Sequence, residues 1–163
     1  MLNPNTLTET AALLAQMQER DLTLATAESC TGGLIGGALT AIAGSSATVL
    51  GGFITYSNGM KQKVLGVPAA MLKEFGAVSE PVARAMAEGA LRESGADIAV
   101  ACTGIAGPGG GGPGKPVGLV HMAAARKGRA TIHLRQVFPG DREAVRAATV
   151  DAALGLVRQQ MEG

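Results

Sequence analysis

The residues of this chain that could do chemistry are one lysine, a few hydroxyls and a set of glycine-rich corners. They read Glu28-Ser29-Cys30-Thr31-Gly32-Gly33, Gly44-Ser45-Ser46, Tyr56-Ser57-Asn58-Gly59-Met60-Lys61, Thr103-Gly104-Ile105-Ala106-Gly107-Pro108 and Gly140-Asp141-Arg142. The first, third and fourth directly follow apolar runs, and short polar turns at strand ends are where α/β proteins place ligands. No histidine lies near them in sequence. A serine hydroxyl needs a base to become a nucleophile. Lysine serves when burial or nearby positive charge lowers its pKa well below the free value of about 10.4. The combination points to a serine/lysine hydrolase acting on a small anionic substrate.

Those corners need elements to hold them. Helical spacing of Leu7, Ala11, Leu14 and Met17 predicts a helix over residues 6–20, capped by Thr6 or Thr8. Residues 22–27 read as a strand and 31–43 as a helix, although Gly32, Gly33, Gly36 and Gly37 fall within the latter. Glycine in a helix interior costs about 1 kcal/mol relative to alanine, so close approach to the sheet or to a ligand is expected there. Residues 49–56 read as a second strand, followed by short helices over 58–65 and 69–75. Ser79-Glu80-Pro81 opens a helix running to about residue 94. Strands are expected over 98–102, 117–125 and 129–137, the last two joined as a hairpin, and Asp141 caps a final helix. Strands interleaved with helices predict an α/β fold: one three-layer domain over residues 1–163, its sheet mixed but mostly parallel, with helices on both faces.

Each corner also has a plainer reading. The turn at 28–33 joins a strand to a helix, whose free N–H groups attract a phosphate, a carboxylate or an oxyanion; alternatively Ser29 or Thr31 caps the helix. The Thr103 turn follows the same logic, and if its strand lies beside the first, both turns line one crevice. Ser57 and Lys61, four apart, could share a helix face, with Tyr56 orienting the lysine; otherwise Lys61 is solvated, as Lys63 is expected to be. Ser45-Ser46 is a turn that offers a second candidate nucleophile. Arg142 opposes the dipole of the last helix, a placement that makes sense if it grips an anion. Gly109 to Lys115 spells G-x-x-x-x-G-K, but Pro116 follows where a phosphate-binding loop needs Ser or Thr, and a strand replaces the helix. The glycine tract is therefore read as a flap. His121 and His133 sit mid-strand and are expected to pack.

Composition narrows the partners. A net charge of +1 leaves no footprint for nucleic acid or an anionic membrane, and 2% aromatic residues leave no stacking platforms for single strands. No basic-then-apolar leader opens the chain, and no apolar run approaches the length of a membrane span. Cys30 and Cys102 make neither a disulfide framework nor, with any His and carboxylate spacing, a metal site. A reduced, cytoplasmic protein is expected.

Taken together, the motifs resemble one family. T-A-E-S-C-T-G-G, I-A-G-S-S, G-x-x-T-Y-S-N-x-x-K, G-A-V-S-E-P, T-G-I-A-G-P, K-P-V-G and F-x-G-D-R-x-x-V-R occur in that order. They resemble the C-terminal domain of the CinA competence/damage-inducible family, whose stand-alone members are nicotinamide-nucleotide amidases. The resemblance runs over residues 6–160. It implies hydrolysis of the carboxamide of nicotinamide mononucleotide to nicotinate mononucleotide and ammonia, without metal or cofactor. Lys61 would be the general base and Ser29 or Ser46 the nucleophile. The strand-to-helix turn favours Ser29, with Thr31, Gly32 and Gly33 supplying an oxyanion hole; if Ser46 attacks, Ser29 joins that hole. Tyr56, Thr103 and Gly104 would position the substrate, and Arg142 would bind its phosphate or amide region. Gly59-Met60 stands where many relatives carry Glu-Ala, and the loop at 109–114 is richer in glycine than usual. The rival reading is a nucleotide-binding or regulatory module without turnover. A homo-oligomer, most simply a dimer, is expected.

Overall fold

The computed structural model describes residues 2–163. Its sheet has the order β2 (Val49–Ile54), β1 (Leu24–Glu28), β3 (Ile98–Gly104), β4 (Leu119–Arg126), β5 (Arg129–Val137). β1 runs parallel to both β2 and β3, while β3–β4 and β4–β5 are antiparallel. The sheet is therefore mixed. β1 is buried along its whole length, and β3 and β4 are buried up to their last residue, as their near-continuous apolar sequences require.

Helices cover both faces. α1 (Pro4–Glu19), α2 (Leu34–Thr40) and α6 (Arg142–Glu162) enclose a core of Leu13, Met17, Ile35, Leu39, Val100, Met122 and Leu156. On the other face α3 (Asn58–Leu65), α4 (Ala69–Phe75) and α5 (Glu80–Ser94) bury Leu65, Val82 and Met86. Against them the sheet presents Ala99, Ala101, Ala123 and Ala125. α3 and α5 touch closely at Gly89, where a Cβ would stand 2.1 Å from the Leu65 carbonyl oxygen.

Three elements differ from their sequence-based expectation for local reasons. α1 begins at Pro4, capped by Asn3 accepting from the Asn5 N–H at 2.8 Å, while Thr6 instead donates to Asp151 at 2.6 Å. α2 has seven residues, because Gly32 and Gly33 take φ of +57° and +109° and belong to a left-handed corner rather than to a helix. Ser79 precedes α5 in extended conformation, yet its hydroxyl donates to Gly76 O instead of capping. The expected Asp141 cap of α6 is present, accepting from the Ala144 N–H at 2.9 Å. At the other end of α6, Arg126 donates to the Gln160 and Met161 carbonyls, and the Gln160 amide donates to Ala124 and Ala130. Among the described residues no helix is long and apolar enough to cross a membrane.

Candidate functional site

Because β1 and β3 are adjacent and parallel, the turns at their carboxyl ends lie side by side. The first turn is organised by Glu28, only 1% exposed. One of its carboxylate oxygens accepts from the Ile35 N–H and the Thr31 hydroxyl, the other from the Gly36 N–H. The start of α2 thus has its anion already, supplied by the chain itself. Thr31 is spent on Glu28 and on Cys102 Sγ at 3.1 Å. With Gly32 and Gly33 it shapes the corner, and none of the three borders the cavity described below. The expected substrate cradle at 31–33 is corrected accordingly: the helix start is filled from within.

The corner holds Ser29 firmly. Its N–H donates to Cys102 O, and Arg146 donates to the carbonyls of Cys30 and Thr31, each at 3.1 Å. Lys61 arrives from the second turn of α3, the helix that Ser57 caps through the Met60 N–H. The lysine is 1% exposed. Its Nζ lies 2.9 Å from Ser29 Oγ, 2.8 Å from the Thr55 carbonyl and 3.3 Å from the Tyr56 carbonyl. It reaches back to Ser29, not to Ser57 as the i, i+4 spacing suggested. Burial pushes its pKa below the ordinary lysine value, with the Cys102 and Cys30 sulfurs opposing. Among the described residues no carboxylate comes within ion-pair distance of it.

Cys30 also borders the cavity, but its hydrogen bond with Cys102, together with burial, pushes its thiol up and away from the reactive thiolate. Both cysteines are free. The far wall is the end of β3. Thr103 donates to Ala77 O at 2.9 Å, and Gly104 lets β4 approach closely, since a Cβ there would meet Leu119 O at 2.9 Å. Arg142 closes the rim, donating to Gly107 O at 2.9 Å and to the Tyr56 phenol oxygen at 3.1 Å. Tyr56 therefore reaches Lys61 by its carbonyl and Arg142 by its ring. The open cavity is about 260 Å³ and is lined by Ser29, Lys61, Tyr56, Thr103 and Arg142, together with residues 104–107. Arg142 also borders a neighbouring cleft of about 410 Å³ shared with Asn3 and Arg146.

Ser46 is not part of this arrangement within one chain. It lies exposed in the 3-10 turn Ser45–Ala47, before β2. Parallel pairing of β1 and β2 puts that turn at the opposite end of the sheet from Ser29, a strand length or more away, roughly 16 Å at 3.3 Å per residue. Sequence reasoning missed two residues. Arg146 braces the Ser29 turn, and its signal was the i, i+4 spacing from Arg142 on one helix. Glu28 stood inside a quoted motif, yet a carboxylate beside a helix start was not read as that helix's cap. His121 and His133 pack, as expected, in mid-sheet: His121 Nδ1 and His133 Nε2 share one hydrogen bond of 2.8 Å, and Glu80 lies 3.6 Å beyond. Burial, and then His133, push His121 down to about 4.

The fold and site define an α/β layered domain with a buried, uncompensated lysine on a serine at the carboxyl ends of its parallel strands. The CinA C-terminal domain model matches residues 6–161, and the chain belongs to that family. It is 52% identical over 154 residues to a CinA-like protein of Synechococcus sp. (strain RCC307), which covers 93% of this chain and 36% of that protein. It is 49% identical over 150 residues to a CinA-like protein of Geobacter sulfurreducens, covering 92% of this chain and 36% of that protein. The chain thus spans about a third of the length of the curated relatives it matches. Among solved structures, it superposes on the competence/damage inducible protein CihA from Agrobacterium tumefaciens with a TM-score of 0.95 and 46% identity, covering 98% of this chain and 97% of that one. A CinA superfamily protein from Escherichia coli gives 0.91 and 38%, covering 98% and 94%.

Proposed function

We propose that this domain hydrolyses the carboxamide of nicotinamide mononucleotide, giving nicotinate mononucleotide and ammonia, by a serine/lysine mechanism that uses no metal. The observation that carries the reading is the 2.9 Å contact between a desolvated Lys61 amine and Ser29 Oγ at the floor of the cavity. With Lys61 neutral, its two N–H bonds point to the Thr55 and Tyr56 carbonyls, and its lone pair is left for the serine proton. Lys61 takes that proton as Ser29 Oγ attacks the carboxamide carbon, and the carbonyl oxygen becomes an oxyanion. Gly32 N–H is committed to Ser29 O and Ser29 N–H to Cys102 O, so the amide of Cys30, a residue that borders the cavity, is the donor left in this corner for that charge. Collapse of the intermediate passes the proton from Lys61 to the departing nitrogen and leaves a nicotinoyl ester on Ser29. Water then adds with Lys61 as base, and the ester breaks to release the carboxylate and restore the serine. Arg142, whose guanidinium meets only neutral oxygens among the described residues, would hold the nucleotide phosphate.

Ammonia release from nicotinamide mononucleotide, measured after exhaustive chelation, tests the reading. Turnover that survives chelation and collapses in Ser29→Ala and Lys61→Ala supports it. A wild type that binds the nucleotide without releasing ammonia moves the domain to the class of nucleotide-binding modules.

A further inference from the structure

The turn that carries Ser29 is sharp, but its own sequence does not make it stiff. Gly32 N–H closes it on Ser29 O at 3.0 Å, with Cys30 and Thr31 at its centre. Gly32 and Gly33 follow at φ of +57° and +109°, a conformation that glycine permits without restraining. Cys30 is 5% exposed, and its N–H meets no hydrogen-bond acceptor among the described residues. A buried donor left open beside a cavity calls for an acceptor that enters the cavity. To meet a developing oxyanion it must already point the right way, so the turn has to keep one conformation.

The restraint comes from α6. Arg146 Nε donates to Cys30 O and Nη2 to Thr31 O, so one guanidinium grips the carbonyls of both central residues of the turn. A planar fork takes two acceptors at once, which the point charge of a lysine does not reproduce. The same group lies against Gly32, where a Cβ would stand 3.6 Å from Nη2. The helix that carries it is fixed, with Val145, Thr149 and Val150 buried around that position. Four residues earlier Arg142 leaves α6 for Gly107 O and Tyr56. One helix thus sends a cation to each of the two turns that flank the cavity. Arg146 does not line that cavity itself; it borders the open cleft of about 410 Å³ behind the turn.

We infer that Arg146 is a positioning residue for the Ser29 site: by gripping the Cys30 and Thr31 carbonyls it keeps the turn closed and the Cys30 N–H aimed at the oxyanion. The inference rests on the proposed hydrolysis for its kinetic arm only. Arg146→Lys keeps the charge and loses the fork. Its kcat for ammonia release is expected to fall by about 10- to 100-fold, the cost of misplacing a group by roughly 1 Å, with KM within about twofold of wild type. In Arg146→Ala, millimolar ethylguanidinium entering through the open cleft is expected to recover kcat. Pyridine-3-boronic acid reads the turn without turnover. Ser29 Oγ bonds to its boron, the serine proton passes to Lys61, and the tetrahedral boronate presents an oxygen where the oxyanion forms. Nicotinamide, whose carbonyl carbon stays trigonal, is the control. Arg146→Lys is expected to bind the boronic acid at least about tenfold more weakly and nicotinamide within about twofold of wild type. An Arg146→Lys that keeps wild-type kcat and boronic acid affinity, or that loses nicotinamide as heavily as the boronic acid, overturns the inference. So does ethylguanidinium that restores the thermal melt of Arg146→Ala without restoring kcat, since the contact is then structural alone. A wild type that takes up the boronic acid only with Arg146 intact, yet releases no ammonia, leaves the positioning role standing and removes only the hydrolysis.

Discussion

Two desolvated bases sit on the same face of this sheet and have different fates. Lys61 and His121 are both pushed toward their neutral forms chiefly by burial. His121 lies in the middle of β4, directly across from Thr103, and its ring nitrogen is engaged by His133. Lys61 lies where the parallel strands end and the chain turns away, so its amine meets a serine and an open cavity. The shift alone is therefore uninformative about chemistry. What separates the two is position along the strand: mid-strand groups are sealed by cross-strand neighbours, and strand-end groups face the space that turns leave open.

The largest expected break in this comparison is at Lys61. Lys61→Met retains the stem and loses the base, so kcat should fall by about 10⁴-fold or more, with the Ser29→Ala variant close behind and the double variant no worse. Urea melting of Lys61→Met should show stability equal to wild type or above it, since a buried amine is replaced by an apolar chain of similar length. A loss of stability as large as the loss of rate would sink the distinction between the two bases. The rate should rise with pH through the depressed lysine pKa and level off below the ordinary value near 10.4, which a kcat–pH profile reads directly.

Arg142→Gln sharpens the reading next. Loss of a cation at the rim should raise KM for the mononucleotide by about 10- to 100-fold and leave kcat within a few-fold. An equal fall in kcat would place Arg142 in the chemical step instead. Glu28→Gln tests the filled helix start: exchanging a carboxylate that accepts three hydrogen bonds should cost about 2 kcal/mol in a denaturant titration.

The smallest effect on activity is expected at His121. Its folded pKa of about 4 lies below the ordinary value near 6.5, so the unfolded chain binds the proton more readily. Its contribution is fully present above about pH 6.5 and is lost as the pH falls toward 4. Burial sets that window first, then the charges of His133, Arg135 and Lys115, with Glu80 opposing. His121→Asn should flatten the acid limb of the stability profile and change kcat at neutral pH less than twofold, as thermal melts across pH and a turnover assay would show.

Much of this was legible before any coordinates. The strand-and-helix alternation, the Asp141 cap and α3 and α4 within their bounds followed from periodicity and from residues with one strong local preference. The sequence also marked Ser29, Lys61, Tyr56, Thr103 and Arg142, which the structure draws around one cavity. Positive φ at Gly32 and Gly33 was not legible, because four glycines in a row of helix formers fit a poor helix as well as a sharp corner. The partner of Lys61 was not legible either. Local spacing pointed to Ser57, while the actual contact spans two strands and depends on which of them lie side by side. Likewise nothing local says that Ser46 and Ser29 stand at opposite ends of the sheet; parallel strand order decides it.

The chain contains one tyrosine and no tryptophan, and that tyrosine is Tyr56. Its ring lies on the cavity rim with its phenol oxygen against Arg142. Excited in the tyrosine band, where its three phenylalanines contribute little, the protein emits from its candidate site. The emission of this single phenol is a built-in label for occupancy, responding to a ligand that displaces the guanidinium and blind to whatever happens elsewhere in the fold.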